Sequence, residues 1–506
     1  MNDLPREKLR DIVARHGRAL IEDPRRCEGL LRDYCGEYRR EVSVLVMALE
    51  ERVPADLLSA PANAPREVLL ARMATRLCDH LALAEPAARW AVSSWAFALG
   101  LVSKEELEVI EQGVAVEAVV TAAAPAKPTQ ATKATAPASS VASIIISAKG
   151  DGQYTSIVEA MERAAPGTRL VVRPGLYNES VIIDRPVEIV GDGPVEDIVI
   201  RGVASSCIQM RTDSASVKGL TLRGRGGHSG GSSFFAVDVP RGKLLLDNCD
   251  VTSDTLSSVT VHGSTSEATI SRCRIHDGVD SGIYFFGGST GIVEECEIFG
   301  NGNVGVAITR DARAIVRRCK IYSGGNAGLV VWDNARAVVE SCAVYFNRLA
   351  GVGVSDDGKL NMKSCSIYEG ENSGLFIHRG GDATIESCDL FGHSESEIAV
   401  TTRGNLVARD CKIHQGRSFG LFVREGGKAL MERCMIKSNA ESGVAIGAGA
   451  VAALRGCHVN DNGQVAVKVS EGGAVSVEDS DLTNNLLGPW DVEDGAFVEA
   501  ERTREV

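Results

Sequence analysis

The chain has 506 residues, with 54 Lys and Arg against 67 Asp and Glu and a formal net charge of −13, which argues against a partner held through phosphate contacts such as nucleic acid. Glycine is abundant at 53 residues and proline modest at 15, while 44% of residues are hydrophobic; collagen-like and wholly disordered chains are excluded and a sizeable core is expected. No apolar run reaches the roughly 18 residues of a membrane helix, and no secretory segment follows the charged start MNDLPREKLRD, so a cytoplasmic chain without a membrane partner is expected.

The first element is a segment of helical periodicity over 1–112. Asp23-Pro24 supplies an N-cap followed by proline at the first helical position, and Ser103-x-x-Glu106 forms a capping box. An all-α domain of about six helices follows from this pattern, with Trp90 and Trp95 in AARWAVSSWAFALGLV as its core. From 113 to 142 the chain runs through TAAAPAKPTQATKATAPASS, which has little to bury and suits a flexible tether.

A short amphipathic helix, TSIVEAMERAA at 155–165, precedes the dominant feature of the sequence, a repeat. Cys273, Cys296, Cys319, Cys342, Cys365, Cys388, Cys411, Cys434 and Cys457 recur every 23 residues, Ser480 takes the next place, and Cys249 precedes them by 24. A fixed period of this size marks a solenoid in which each repeat buries its apolar face on its neighbours. Two residues after each cysteine an aliphatic column runs from Ile275 to Leu482, and five after it Gly278, Asn301, Gly324, Asn347, Gly370, His393 and Gly416 suggest a left-handed turn. A glycine column, Gly282 to Gly443 with Glu397 as an exception, opens a segment of period-two alternation, the mark of strand.

Twenty-three residues holding short strands and tight turns are too few for helical repeats and exceed the coil of a left-handed hexapeptide helix. The fold expected is a right-handed parallel β-helix over 143–490, a single-stranded solenoid preceded by the small all-α domain. The 155–165 helix would cap its first edge and 491–506, with Phe497, would cover the other. About thirteen coils are expected, stacked at ~4.8 Å.

The opening DGQYTSIVEAMERAAPGTRLVVRPGLYNESVIIDRPVEIVGDG at 151–193 and the C-x-I-[YF]-x-[GN] coils resemble the pectin-lyase-like superfamily. They are most similar to its non-enzymatic branch of carbohydrate-binding and sugar-hydrolase-type repeats, including F-box β-helix and nitrous-oxide-reductase maturation proteins. DPRRCEGLLRDYCGEYRREVSVLV resembles an accessory helical domain of modular bacterial proteins. The resemblance implies the fold and a range of roles from polysaccharide lyase to protein-binding adaptor. Asp254-Thr255-Leu256, Val279-Asp280 and Leu487-Gly488-Pro489-Trp490 resemble pectin methylesterase motifs. However, Ser253 replaces their glutamine, Ser281-Gly282 follows Asp280, and the arginine of the third motif is missing.

Two outward columns carry candidate binding residues. The strand after each glycine presents Tyr284, Phe286, Trp332, Phe376, His378, Phe422 and Arg424, and the next position adds Arg310, Asp333, Asp356 and Arg379. Exposed rings beside Arg and Asp suit a protein anchor or a sugar ring. Asp333 and Asp356, on adjacent coils, have the spacing of a retaining glycosidase pair, yet Arg310 and Arg379 flank them and favour ionised carboxylates over a general acid.

Another outward column, His276, Phe299, Tyr322, Tyr345, Tyr368, Phe391 and His414, reads either as structural stacking or as a partner strip. The cysteines lack ligand spacing for a metal and are expected as core thiols. The function expected is a non-catalytic binding or scaffold module without cofactor or metal, taking a protein partner or, less readily, a glycan. The alternative is a carbohydrate-active enzyme, a polysaccharide lyase, glycoside hydrolase or epimerase, acting on acidic polysaccharide at Asp333 and Asp356.

Overall fold

The computed structural model describes residues 4–16, 24–35, 38–50, 53–59, 85–102 and 142–505, apart from 204 and 227–233, together with the single positions 70, 73, 74 and 77. Two compact units, 1–134 and 135–506, are each described by themselves. The expected tether at 113–142 lies outside the described residues except for Ala142, as do Asp23 and the capping-box residues Ser103 and Glu106.

The described helices of the first unit are α1 (Leu4–His16), α2 (Pro24–Cys35), α3 (Arg39–Glu50), α4 (Val53–Ser59) and α5 (Glu85–Ala98). Pro24 opens α2, where its missing N–H costs nothing. Trp95 on α5 is fully buried and its indole N–H donates to the Leu45 carbonyl on α3 at 2.9 Å. Trp90 is also buried, with the Arg6 guanidinium 5.3 Å from its ring. Both tryptophans are core.

The second unit opens with α6 (Ile157–Arg163). Ser156 caps it by accepting from the Glu159 N–H at 3.2 Å, and Ile157, Ala160 and Met161 bury against the first strands. The helix is shorter than the 155–165 expected because Ala164 is already extended ahead of Pro166.

Among the described residues all strand pairs are parallel and fall into three sheets, because each coil contributes one strand to each. Sheet I has 16 strands from Ser143–Ile146 to Phe497–Glu501, sheet II has 13 from Gly175–Asn178 to His458–Asn460, and sheet III has 14 from Val181–Ile183 to Trp490–Val492. One coil reads Arg313–Arg317 in sheet I, Lys320–Tyr322 in sheet II and Leu329–Val331 in sheet III. Stacking keeps residues 23 apart in register, as in Ile298–Ile321–Val344. About 15 coils result, roughly 70 Å at ~4.8 Å each, more than the thirteen expected. Part of the excess comes from 491–506: rather than a separate cap, that segment supplies strands to sheets III and I, since Val492, Val498 and Ala500 keep the period-two pattern.

The cysteine column is buried and free of disulfides. Cys342 Sγ lies 3.5 Å from the Val316 carbonyl and 3.3 Å from that of Glu340, and it accepts from Cys319 N–H at 3.4 Å. Outside that column, burial pushes the Cys207 thiol up to about 12. These are packed thiols.

The turn expected at the Gly/Asn column sits one residue earlier. Left-handed backbone falls at Asp277, Gly300, Ser323, Phe346 and Glu369, and the Gly/Asn position is an interior ladder. Asn347 is buried, accepts from the Gly324 N–H at 3.0 Å and donates to the Ile321 carbonyl at 3.3 Å; Asn301 does the same for Gly278 and Ile275. From Gly278 to Gly416 glycine alternates with a larger polar residue, and at Asn439, Asn462 and Asn485 the ladder continues without glycine, Asn462 accepting from the Asn439 N–H at 3.1 Å; in both stretches, a buried amide closes the backbone of the preceding coil.

Candidate functional site

The outer face of sheet III is built by its alternating strands. In register run Thr260, Tyr284, Ala307, Val330, Gly353, Phe376, Ala399, Phe422 and Ala445. Large rings are thus separated by small residues, which leaves shallow steps between aromatic ridges. Val304, Ala307, Ala327 and Val330 form an apolar cluster separate from the solenoid core, with Tyr284 and Trp332 packed against it.

The candidate residues occupy this face and the turn that follows. Phe286 stacks on His262 with centroids 5.0 Å apart and meets Tyr284 at 4.8 Å, and Arg310 lies 5.8 Å from the Phe286 ring. Farther along, Phe376 stacks on His378 at 4.6 Å, and Phe422 carries Phe419 at 5.3 Å and the Arg424 guanidinium at 5.4 Å. Burial, with the Arg379 charge, holds His378 below its usual pKa and outweighs Asp356. The smaller members of the Phe286 column, Thr309, Ser355 and Thr401, are buried between the large ones.

Arg310, Asp333, Asp356 and Arg379 all take left-handed backbone between φ 47° and 57°. Their column is therefore the turn from sheet III into sheet I. Asp356 accepts from Arg379 at 2.6 Å and from the Ser355 hydroxyl at 2.7 Å. A carboxylate held by a guanidinium is a poor general acid.

The column from His276 to His414 is a continuous stack on sheet II. Successive centroids are 4.8 to 5.2 Å apart and ring planes differ by 3 to 7°. Its first ring is anchored by Asp250, 3.1 Å from His276 Nε2. Burial would raise the Asp250 pKa, but hydrogen bonds from His276 and Arg223 and the Arg223 charge outweigh it and bring the group down to about 2. The hydrogen bond to Asp250 raises the His276 pKa against the effect of burial, aided by Asp277.

The acids of the esterase-like motifs are used structurally. Asp280 accepts from Asn303 at 2.9 Å and Ser257 at 2.7 Å, Asn326 continues that ladder to Asn303, and Asp254 accepts from the Gly226 N–H at 2.8 Å. Among the described residues no group of three or more His, Cys, Asp or Glu is placed to hold a metal ion, and no helix is long and apolar enough to cross a membrane.

Sequence reasoning missed a groove of about 470 Å³ on the outer face of sheet I. Arg313, Arg336 and Lys359 line it in direct register, beside Ile292, Ile315 and Val338, and Glu267 and Asp382 close its ends. The signal was present: three cations stand 23 residues apart, six residues before a cysteine. Only columns after the cysteine suggested a site.

The description "right handed beta helix region" fits residues 206–360 and 350–499, more than half of the chain. The chain belongs to the right-handed β-helix family. No curated protein matches the chain. Among solved structures, the chain is similar to the periplasmic alginate epimerase AlgG, at 14% identity and TM-score 0.43, covering 65% of this chain and 78% of that one. It is also similar to the A-module of the Azotobacter vinelandii mannuronan C-5 epimerase AlgE4, at 14% identity and TM-score 0.31, over 69% and 90%. The catalytic domain of a GH87 α-1,3-glucanase in complex with nigerose matches at 14% identity and TM-score 0.43, over 67% of each chain. These neighbours are carbohydrate-active enzymes, and at this identity the likeness says nothing of this chain's activity.

Proposed function

We propose that this β-helix is a non-catalytic binding platform that takes a protein partner on the outer face of sheet III. The observation that carries the proposal is the apolar cluster of Val304, Ala307, Ala327 and Val330, packed beneath Tyr284 and Trp332 outside the solenoid core. Apolar floors with aromatic ridges and a charged rim have the anatomy of protein-binding hot spots. Arg310, Asp333, Asp356, Arg379 and Arg424 supply that rim. The test is to capture partners from host lysate with the full chain, then to titrate the purified candidate against wild type and Tyr284→Ala/Trp332→Ala. Loss of at least tenfold in affinity at an unchanged melting temperature supports the proposal; equal affinity overturns it.

A second function, binding of an acidic polysaccharide, is favoured by the cation row Arg313, Arg336 and Lys359 in the sheet I groove. This moves the polysaccharide site away from Asp333 and Asp356, where Arg379 engages the acid. Uronate polymers would be tested for salt-sensitive binding lost in Arg313→Ala/Arg336→Ala/Lys359→Ala. Cleavage of the polymer in the same assay would establish an enzyme and displace the platform proposal.

A further inference from the structure

The order of large, small and charged residues along sheet III matches its own reverse. Tyr284, Phe376 and Phe422 are partly exposed ridges, and Ala307, Ala399 and Ala445 lie buried between them in the same register. A two-fold axis parallel to the strands, placed between the coils of Gly353 and Phe376, brings a second copy face to face with the first. The copies run antiparallel, and each column meets itself in reverse order. Tyr284 then faces Ala445 of the second copy, Phe376 faces Gly353, and Phe422 faces Ala307. In the column two residues on, Phe286 faces Gly447, Trp332 faces Thr401, and His378 faces Ser355. The Phe419–Phe422 stack comes onto the apolar cluster at Val304 and Ala307.

Charge agrees with shape. In the turn column Arg310 faces Glu425 of the second copy and Asp356 faces Arg379, while on the opposite rim the exposed Arg348 faces the exposed Glu371. Because Asp356 and Arg379 already pair within one chain at 2.6 Å, the second copy closes a ring of four alternating charges around the axis. Other registers fail. A shift of one coil sets Tyr284 on Phe422, or Phe376 on itself. A shift of two coils spares the rings but sets Asp333 against Asp356 in one direction and Asp356 against Glu425 in the other, and like charges directly opposite are destabilising. A parallel pair would set each coil on itself, large residues on large. From Tyr284 to Ala445 the face spans eight coils of ~4.8 Å, and across it run about seven residues of ~3.3 Å, giving roughly 900 Å² in projection. Each partner in a stable complex buries about 800 Å².

We propose that sheet III joins two copies of this chain in an antiparallel, two-fold dimer. The proposal rests on sheet III being the protein-binding face and names the partner there.

Arg310 and Glu425 stand five coils apart in one chain, about 24 Å at ~4.8 Å per coil, so only contact between copies can couple them. Sedimentation velocity of the full chain at micromolar concentration is expected to show a dimer. Arg310→Glu and, separately, Glu425→Arg set like charges together and should each weaken it at least tenfold. Mixing the two single variants should restore dimers, because each supplies the charge the other lost, and a misfolded chain would not be rescued in this way. The double variant Arg310→Glu/Glu425→Arg should dimerise as wild type does, and Tyr284→Ala/Trp332→Ala should weaken the dimer with an unchanged melting temperature. A wild-type monomer overturns the dimer and leaves the sheet III face to its own test with a captured partner. A dimer that both single charge reversals leave intact, or that mixing fails to restore, overturns it too. If Tyr284→Ala/Trp332→Ala also binds a captured partner as wild type does, the sheet III reading fails with it.

Discussion

His393 Nδ1 lies 2.5 Å from Glu397 Oε2 in the interior of the solenoid, with both side chains almost fully buried. They stand in the ladder position that Asn347 and Asn439 occupy in other coils and the strand-opening position held by Gly374 and Gly420. Gly370, Gly374 and Gly416 make room around the pair: a Cβ on Gly374 would come within 2.8 Å of the imidazole, and one on Gly416 within 2.7 Å of the carboxyl. His393 Nε2 has no hydrogen-bond partner among the described residues.

This pair gives the first prediction. Burying ionisable groups costs more than the interaction returns unless every polar atom is satisfied, and replacing the whole pair is often stabilising by ~1–4 kcal/mol, whereas removing one partner costs ~3–5 kcal/mol. His393→Asn/Glu397→Gly, which restores the repeat pattern, is expected to raise the melting temperature. Glu397→Gly alone should lower it. Thermal unfolding of the three proteins checks both signs.

Tyr345 stacks on Tyr322 and Tyr368, each at 4.8 Å. Tyr345→Ala removes both contacts, at ~0.5–1.5 kcal/mol per pair beyond the loss of buried area. Denaturant unfolding should therefore report a loss of ~1–3 kcal/mol from stacking alone. An unchanged midpoint with loss of a ligand would instead make the column a binding strip.

The Asp250–His276 contact should make stability depend on pH in both directions. His276 has a raised folded pKa, so its contribution is full below the unfolded value near ~6.5 and is lost as pH rises through the folded value. Asp250 is lowered to about 2, so its contribution is present above ~3.9 and is lost as pH falls through about 2. The stability difference between wild type and His276→Phe, which keeps a ring on Phe299, should be largest near ~pH 5 and shrink by ~pH 8. Chemical denaturation at the two pH values measures it.

Ser480 already stands in the cysteine column, donating to the Glu478 carbonyl at 2.8 Å and accepting from the Cys457 N–H at 3.0 Å. Cys365 accepts from the Cys342 N–H and lies 3.3 Å from the Lys363 carbonyl in the same way. Cys365→Ser should cost no more than ~1–2 kcal/mol, since its hydroxyl inherits both bonds. The column thiols should resist alkylation in the folded protein and react once denaturant is added, as mass spectrometry would show.

The sequence by itself determined the solenoid, because stacking forces equivalent residues into register and a 23-residue period is visible without knowing where the chain turns. It also located the aromatic stack, the buried thiols and the face that carries Tyr284, Trp332 and Phe376. The tertiary structure decided which glycine-rich position turns and which is interior: left-handed backbone at Asp277 or Phe346 is carried by residues with no shared chemistry, while the Gly/Asn alternation records contact between coils. It also decided that Asp356 turns to Arg379 and that Arg313, Arg336 and Lys359 share a groove. Those facts depend on side-chain direction, which the period of the repeat does not fix.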